Sequence, residues 1–225
     1  MEPEFWHQRW SENRLGFHQQ KINSRLRKFW PGLGIPRGTG VFVPLCGKSL
    51  DMLWLAEQGY RVLGIELSRA ACEAFFVENG IAYRAEARGH FTGYVSESIT
   101  LYAGDFFDLS ADDLDAMRGV YDRAALIALP QAMRPGYAGH MADILPPGCR
   151  GLLISMTYDE QKMQGPPFSV GEEEVRELFE PGFSVDLISE SSGPDIVGNL
   201  RERGLDTLDE KVYRLAKPDR SDKSQ

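Results

Sequence analysis

Residues 41–50 read Val-Phe-Val-Pro-Leu-Cys-Gly-Lys-Ser-Leu, and residues 61–66 read Arg-Val-Leu-Gly-Ile-Glu. The first stretch begins with a continuous apolar run, which is typical of a parallel strand that is buried on both faces. Ser49 can cap a helix after it, Gly59 can end that helix, and the second stretch is then the next strand. A further helical pattern follows and stops near Gly80. This order of strand, helix, strand and helix predicts a parallel sheet with right-handed crossovers.

The alternation of elements continues toward the carboxyl terminus. Further strands are predicted at 99–103, 119–122, 152–156, 183–188 and 212–215. Further helices are predicted at 111–117, 134–145 and 171–179. No helical pattern separates the last two strands, so they are expected to form an antiparallel closing pair. The predicted fold class is therefore α/β with a mostly parallel sheet.

The chain has 225 residues, a length that suits one large α/β domain. No internal repeat or long low-complexity linker divides it. We therefore expect a single domain over residues 1–217, of which residues 1–35 form an N-terminal segment. The polar residues 218–225 are expected to be a disordered tail.

The N-terminal segment is rich in aromatic side chains, among them Trp6, Trp10 and Phe17. Their spacing fits helical segments that are broken near Gly16. Covering the core of the sheet domain is the simpler interpretation for most of them. A lid over an aromatic ligand has the same composition, however, so an N-terminal helical lid is predicted here.

The charge balance is acidic, with 25 Lys and Arg against 33 Asp and Glu and a net charge of −8. Nucleic-acid affinity depends on neutralising phosphates with Lys and Arg, so no nucleic-acid partner is expected. The densest basic stretch, Arg25-Leu26-Arg27-Lys28, is interpreted as a solvated helix face. No window approaches 18 consecutive apolar residues, and no membrane partner is expected.

The three cysteines, Cys46, Cys72 and Cys149, form no C-x-x-C pair. Their odd number and wide spacing favour free thiols in a reducing compartment. The acidic N-terminus lacks the apolar region of a signal peptide, so a cytoplasmic location is predicted.

The four histidines show no metal-ligand spacing, and no metal site is predicted. The sequence is silent on oligomeric state, for which a monomer is our expectation.

The turn after the first strand suggests a nucleotide ligand. Gly47-Lys48-Ser49 resembles part of a phosphate-binding loop, but the full motif needs a glycine where Phe42 stands. The dinucleotide fingerprint fails as well, because the next glycine is Gly59. What remains is Gly47 and, 19 residues later, Glu66 at the end of the second strand. An acid at this spacing accepts hydrogen bonds from ribose hydroxyls, which indicates an adenosine-type ligand. The alternative is a glutamate that simply lies exposed at a strand end.

Two further strand ends carry candidate residues. Asp105 and Phe106 follow the strand at 99–103, and an acid beside an aromatic can bind and stack an adenine, although such loops often only cap a helix. Asp122 and Arg123 end the predicted central strand, where Arg123 can bind a carboxylate in the crevice. The alternative is a surface ion pair, which contributes little stability.

Several blocks of this sequence resemble thiopurine S-methyltransferases. The most specific is Val43-Pro44-Leu45-Cys46-Gly47-Lys48-Ser49-Leu50-Asp51-Met52. The others are Trp6-His7-Gln8-Arg9-Trp10, Gly16-Phe17-His18, Asp122-Arg123, Ser155-Met156-Thr157-Tyr158 and Gly165-Pro166-Pro167-Phe168. The resemblance runs from the N-terminus to Lys217.

The resemblance implies a Rossmann-like class I methyltransferase fold, with seven strands and helices on both faces, and S-adenosyl-L-methionine as the cofactor. The cofactor-binding residues that it implies are Trp6, Trp10, Leu45, Gly47, Glu66, Asp105, Phe106 and Arg123. The substrate-binding residues that it implies are Phe17 and Arg123. No side chain of the matched site is an obvious general base, so no catalytic residue is assigned.

The expected function is methyl transfer from S-adenosylmethionine to the sulfur of small aromatic or heterocyclic thiols. The expected partner is accordingly a small-molecule thiol or a related soft nucleophile. One alternative is methylation of selenium or tellurium oxyanions. Another is a protein that binds an adenosine ligand without turnover.

Overall fold

The computed structural model of this protein describes residues 21–219. Nine strands of this range form one sheet: β1 (Gly40–Val43), β2 (Arg61–Glu66), β3 (Arg84–Arg88), β4 (Phe91–Val95), β5 (Ile99–Ala103), β6 (Met117–Arg123), β7 (Arg150–Thr157), β8 (Ser184–Gly193) and β9 (Leu208–Ala216). The α-helices of the same range are α1 (Ser24–Phe29), α2 (Asp51–Glu57), α3 (Arg69–Glu78), α4 (Arg134–Ile144) and α5 (Glu172–Phe179). Short 3-10 helices fill several of the connections.

The strands follow the order β3-β4-β5-β2-β1-β6-β7-β9-β8. Strands β5, β2, β1, β6 and β7 pair in parallel, whereas β9 runs antiparallel to both β7 and β8. The predicted α/β class and the antiparallel closing pair are therefore confirmed. The direction of winding reverses between β1 and β6, and doubly wound sheets bind ligands beyond the strand ends at such a point.

The expected count of seven strands is too low, because a hairpin of β3 and β4 extends the outer edge of β5. Strand β3 reads Arg-Ala-Glu-Ala-Arg and is almost entirely exposed. It carries no large apolar side chain, so it lacks the alternation that identifies a half-buried strand in a sequence.

The helix predicted at 111–117 is wrong. Only Ala111–Asp113 is helical, as a single 3-10 turn, and a capping box between Ser110 and Asp113 caps its N-terminal end. Met117 already belongs to β6, where it packs against Gly40. A Cβ atom at Gly40 would lie 2.6 Å from the Met117 side chain, so the two strands meet too closely for a helix to continue there.

Helices cover both faces of the sheet, as predicted. Apolar side chains of α4 and α5 form one core layer with β1, β2, β6, β7 and β9. Those of α1, α2 and α3 form the other core layer on the opposite face. Ser68 caps α3 by accepting the N–H of Ala71, as the sequence predicts, whereas α2 begins only at Asp51.

The described part of the N-terminal segment, residues 21–35, packs as core. Leu26 and Trp30 are almost fully buried, and the Trp30 ring packs edge-on against Tyr60 and Tyr121. Trp30 therefore covers the core of the sheet domain, which was the simpler interpretation of the N-terminal aromatic side chains. No helix within residues 21–219 is both long and apolar enough to cross a membrane.

Candidate functional site

The turn after β1 has an unusual backbone. Leu45 has a φ of 44° and Gly47 a φ of 52°, both in the left-handed region that L side chains seldom adopt. The N–H of Cys46 donates to the carbonyl of Ile65 at 2.9 Å. The turn is therefore fixed against the end of β2.

Glu66 holds this turn and the next one together. It is 8% exposed, and its Oε2 accepts the N–H of Gly47 at 3.0 Å while its Oε1 accepts the N–H of Ser68 at 2.9 Å. The interpretation of Glu66 as an exposed strand-end residue is therefore wrong. A carboxylate that accepts hydrogen bonds at the end of the second strand is the type of residue that binds ribose hydroxyls in doubly wound sheets.

Cys46 packs closely beside this carboxylate. A Cβ atom at Gly64 would lie 2.7 Å from Cys46 Sγ, so the strand needs glycine at that position. Burial, with smaller contributions from Cys72 and Glu66, raises the pKa of the Cys46 thiol well above its ordinary value. The thiol is therefore protonated at neutral pH, so Cys46 fills space as a small apolar side chain and is not a nucleophile.

The loop after β5 lies directly beside Glu66, since the N–H of Gly104 donates to the Glu66 carbonyl at 3.0 Å. Asp105 is exposed, and its side chain accepts the N–H of Phe107 at 3.0 Å. The Phe106 ring lies in the core, 6.3 Å from the Phe42 ring and 4.9 Å from the Tyr137 ring. A ligand contact at Phe106 is therefore expected from its backbone, and not from a stacked ring.

The end of β6 is built around a buried carboxylate. Asp122 is fully buried and accepts the Tyr137 hydroxyl at 2.7 Å and the N–H of Leu126 at 3.2 Å. Burial raises its pKa to about 6, although these bonds work in the opposite direction. The alternative of a surface ion pair is therefore wrong for Asp122. Its bonds hold the turn in which Ala124 has a φ of 71°, next to the half-buried Arg123.

A cavity of about 110 Å³ opens beside Arg123. Most of its lining side chains are apolar, among them Ala124, Ile127, Ile154, Met156, Pro166, Pro167, Ile196, Val197, Leu200 and Leu208. Its polar lining residues are Asn23, Arg123, Asn199 and Glu210. This lining suits the binding of a small, mostly apolar molecule.

The start of α1 forms one wall of this cavity and is fixed by a buried carboxylate. Asp51 is 2% exposed and accepts the N–H of Asn23 at 2.7 Å and the Tyr121 hydroxyl at 2.9 Å. Arg25 adds an ion pair, because its Nε lies 2.7 Å from Glu210 Oε1. The wall is thus joined to α2, β6 and β9 at once.

Sequence reasoning missed Asn23, Asp51 and Glu210 as site residues. They lie far apart in the chain and match no spacing rule, so only the fold brings them to one edge. The resemblance blocks carried usable signals, because three of them contain the cavity residues Arg123, Met156, Pro166 and Pro167. Trp6, Trp10 and Phe17 lie outside the described residues.

The predicted site residues within the described range fall on neighbouring strand ends. Gly47 donates its N–H to the Glu66 carboxylate, Leu45 belongs to the same turn, and Asp105 follows the adjacent strand β5. Arg123 lies at the end of β6, on the other side of β1. Within residues 21–219, no group of three or more His, Cys, Asp or Glu side chains is arranged to hold a metal ion.

Solved structures share this fold. A Burkholderia thailandensis 1,6-didemethyltoxoflavin-N1-methyltransferase with bound S-adenosylhomocysteine superposes with a TM-score of 0.60 at 17% identity, over 96% of this chain and 87% of its own. A TehB-like SAM-dependent methyltransferase from Corynebacterium glutamicum gives a TM-score of 0.54 at 15% identity, over 96% of this chain and 97% of its own. The strand order and these likenesses define a Rossmann-like fold of the class I methyltransferase type.

Sequence comparison gives the particular family. The family model described as Thiopurine S-methyltransferase (TPMT) matches residues 1–218. Thiopurine S-methyltransferases from Pseudomonas entomophila and Azotobacter vinelandii are each 48% identical to this chain, of which they cover 96%. The match covers 100% and 99% of those two proteins. The chain therefore belongs to the thiopurine S-methyltransferase family, which uses S-adenosylmethionine as its cofactor.

Proposed function

We propose that this protein transfers the methyl group of S-adenosylmethionine to the sulfur of small aromatic or heterocyclic thiols. The observation that carries the proposal is the pairing of two different half-sites at one edge of the sheet. One half, after β1 and β2, presents backbone and the Glu66 carboxylate. The other half, after β6 and β7, is an apolar cavity with Arg123 in its wall. Family membership supports the same assignment.

The residues after β1, β2 and β5 fit the cofactor. Glu66 is an acid at the end of the second strand, where such residues bind ribose hydroxyls, and the left-handed glycine at position 47 suits close approach of backbone to a ligand. Asp105 lies on the next loop, in reach of the same half-site. When bound there, S-adenosylmethionine supplies an electrophilic methyl group on a sulfonium centre. The task of the chain is then to align the acceptor with it, and alignment alone can lower a barrier by roughly 7–11 kcal/mol.

The described lining of the cavity offers no free carboxylate to act as a general base. Glu210 is paired with Arg25, and Asp122 is enclosed beneath the turn with Tyr137. A thiol needs little help, since its thiolate is the reactive form and is strongly nucleophilic. We propose that the acceptor enters as its own anion and that the positive charge of Arg123 favours that anion.

The experiment is a series of thiophenols of different acidity, assayed with S-adenosylmethionine. The pH midpoint of kcat/KM should follow each acceptor's own solution pKa, because the acceptor and not the enzyme supplies the titrating group. A midpoint common to every acceptor would reveal an enzymic base and overturn the substrate-anion mechanism. Absence of methyl transfer to any thiol would overturn the proposed function itself and favour a non-catalytic adenosine-binding protein. Selenite and tellurite serve as comparison acceptors, and we expect them to be poor because an apolar cavity hydrates oxyanions badly.

We further propose a cytoplasmic monomer. All three cysteines are buried and free, which suits a reducing compartment. Among residues 21–219, the large apolar side chains that are exposed are Val77 and Phe107, too few for an extensive subunit interface. Light scattering at assay concentrations tests the monomer, and a mass near 50 kDa, roughly twice the 25.3 kDa of one chain, would contradict it.

A further inference from the structure

Two consecutive prolines form part of the wall of the cavity beside Arg123. Pro166 and Pro167 are both buried, and both line the cavity. Proline has no backbone N–H, so the carbonyls of these two residues are the only groups by which their backbone can be held with hydrogen bonds. The position of this proline loop, residues 164–168, therefore depends on donors that reach its carbonyls.

Each proline carbonyl accepts a hydrogen bond from a side chain. The Tyr158 hydroxyl donates to the Pro167 carbonyl at 2.5 Å, and Arg203 Nη1 donates to the Pro166 carbonyl at 2.7 Å. Arg203 Nη2 also donates to the Gln164 carbonyl at 3.2 Å. Tyr158 is only nine residues from Pro167 in the chain, whereas Arg203 is 37 residues from Pro166. Arg203 thus connects the proline loop to a distant part of the sequence.

The segment that carries Arg203 forms another part of the cavity wall. Arg203 ends the 3-10 helix Gly198–Arg203, and Val197 and Leu200 line the cavity. A small apolar core also joins this segment to the residues before the proline loop, and it consists of Met163, Val197, Leu200, Leu205 and Leu208. Apolar contacts are non-directional, whereas a planar guanidinium that binds two carbonyls fixes both distance and angle.

We propose that Arg203 is a positioning residue that fixes the width of the cavity and thereby decides which sizes of acceptor it admits. The inference rests on the proposed function and adds selection by size to it. The cavity measures about 110 Å³, and a cavity of roughly 150 Å³ accommodates benzene, so a second fused ring should press against the proline wall. Without Arg203, the carbonyls of Gln164 and Pro166 lose their donor, and the wall can move outward.

The test compares thiophenol with 2-naphthalenethiol, an aryl thiol with one more fused ring. Arg203→Met removes both donors and keeps an unbranched side chain. We expect the ratio of kcat/KM for 2-naphthalenethiol over thiophenol to rise about fivefold, equivalent to about 1 kcal/mol, the net contribution of one typical hydrogen bond. The change should arise in KM, with kcat for thiophenol within twofold of the wild-type value, because Arg203 does not line the cavity itself. A ratio within twofold of the wild-type ratio would overturn the inference.

Two further variants separate the position of the wall from general stability. Arg201 belongs to the same 3-10 helix but donates to the Pro194 carbonyl at 2.7 Å, and within residues 21–219 it makes no hydrogen bond to the proline loop. Arg201→Met should therefore keep the wild-type ratio, and a rise equal to that of Arg203→Met would contradict the inference. Arg203→Lys keeps one donor for the Pro166 carbonyl, so its ratio should lie between those of the wild type and Arg203→Met. A lysine variant that behaves like Arg203→Met would count against a role for the hydrogen bond.

A binding measurement separates this inference from the proposed function. Calorimetry with thioanisole and methyl 2-naphthyl sulfide, in the presence of S-adenosylhomocysteine, needs no turnover. The ratio of the two affinities should shift toward the larger ligand in Arg203→Met and stay unchanged in Arg201→Met. Failure of the wild-type protein to methylate any thiol would defeat the proposed function, whereas an unchanged affinity ratio in Arg203→Met would defeat the role of Arg203.

Discussion

The two halves of the carboxyl edge are built in different ways. The adenosine half comes from two turns that are 19 residues apart, and one carboxylate, Glu66, ties their backbones together. The acceptor half collects its walls from six segments: the start of α1, the end of β6 with the turn after it, β7, the loop at 166–167, the segment 196–200 and the start of β9. Its polar residues are positioned by other side chains, chiefly Asp51 and Asp122. The adenosine half is thus formed by local backbone turns, whereas the acceptor half depends on packing between segments that are distant in the chain.

Because of this difference, the two halves should tolerate different substitutions. A backbone-defined half-site depends on turn geometry, and its side chains can change wherever the turn is kept. A half-site assembled from six segments can adapt its shape to new acceptors, but it depends on the buried polar groups that fix those segments. Variants should therefore affect the two halves independently, and the following predictions test that separation.

The largest effect is expected at Asp51, whose loss should destabilise the acceptor half. Asp51→Ala leaves two buried donors, the Asn23 N–H and the Tyr121 hydroxyl, without their acceptor. Each buried unpaired donor costs about 1–3 kcal/mol, so the free energy of unfolding should fall by about 2–6 kcal/mol. Urea denaturation measures this loss, and Asp143→Ala on the exposed side of α4 is the matched control. A loss below about 1 kcal/mol would mean that Asp51 does not anchor α1.

Asp122 should make stability depend on pH. Its pKa in the folded protein, about 6, lies above the ordinary value of 3.8, so the native state binds the proton more tightly than the unfolded chain. This contribution is fully present below about pH 4 and is lost as the pH rises through about 6. The loss amounts to roughly 3 kcal/mol.

The matched variant is Asp122→Asn, which has the same shape and does not titrate. Between pH 4 and 6, the wild-type free energy of unfolding should fall relative to that of Asp122→Asn, measured in the same buffers. Subtraction removes the carboxylates that both proteins share. Parallel pH profiles for the two proteins would contradict a raised pKa for Asp122.

The fold was predictable where buried elements have a recognisable hydrophobic pattern in the sequence. Strands β1 and β2 are continuous apolar runs, and the two helices between and after them have clear ends. Strand β3 was not predictable, because exposed Arg and Glu on a sheet edge look like a loop. The segment 111–117, Ala-Asp-Asp-Leu-Asp-Ala-Met, was predicted to be a helix because it contains no glycine or proline to mark the end of the 3-10 turn at Asp113.

The site follows the same division. Glu66 was found from its spacing to Gly47, because the adenosine half is local in the chain. Asn23 and Glu210 were invisible, since their role exists only once α1 and β9 meet at the cavity. Phe106 was assigned as a site residue, and the structure adds that its ring belongs to the core. That side chain could not be placed from sequence, because a buried and an exposed phenylalanine, Phe106 and Phe107, stand next to each other.

Glu66 provides the test of the adenosine half. Glu66→Ala should weaken S-adenosylhomocysteine binding about tenfold or more, since a hydrogen bond to a charged acceptor contributes about 1.5–3 kcal/mol. Two backbone N–H groups also lose their acceptor, so some loss of stability should accompany it. Calorimetry on folded protein separates the two effects, with Glu78→Ala, an exposed partner of Lys48, as the control. The acceptor KM at saturating cofactor should stay near the wild-type value. Unchanged affinity for S-adenosylhomocysteine would contradict the assignment of Glu66 as a cofactor-binding residue.

The smallest effect is expected at the ion pair between Arg25 and Glu210, in which each side chain is about one-fifth exposed. Ion pairs that keep some contact with solvent contribute about 0–1 kcal/mol, so Arg25→Ala should change stability little. It leaves the Glu210 carboxylate uncompensated at the cavity, where that charge repels an anionic thiolate. KM for the thiolate should therefore rise about two- to fivefold, and the rise should shrink at 1 M salt, where charges are screened within about 3 Å. Arg25→Ala combined with Glu210→Gln should restore KM, because the repelling charge is then gone. S-adenosylhomocysteine affinity should stay unchanged in both variants. If Arg25→Ala weakened cofactor binding as much as acceptor binding, the two halves of the edge would act as one unit, and the division between them would be wrong.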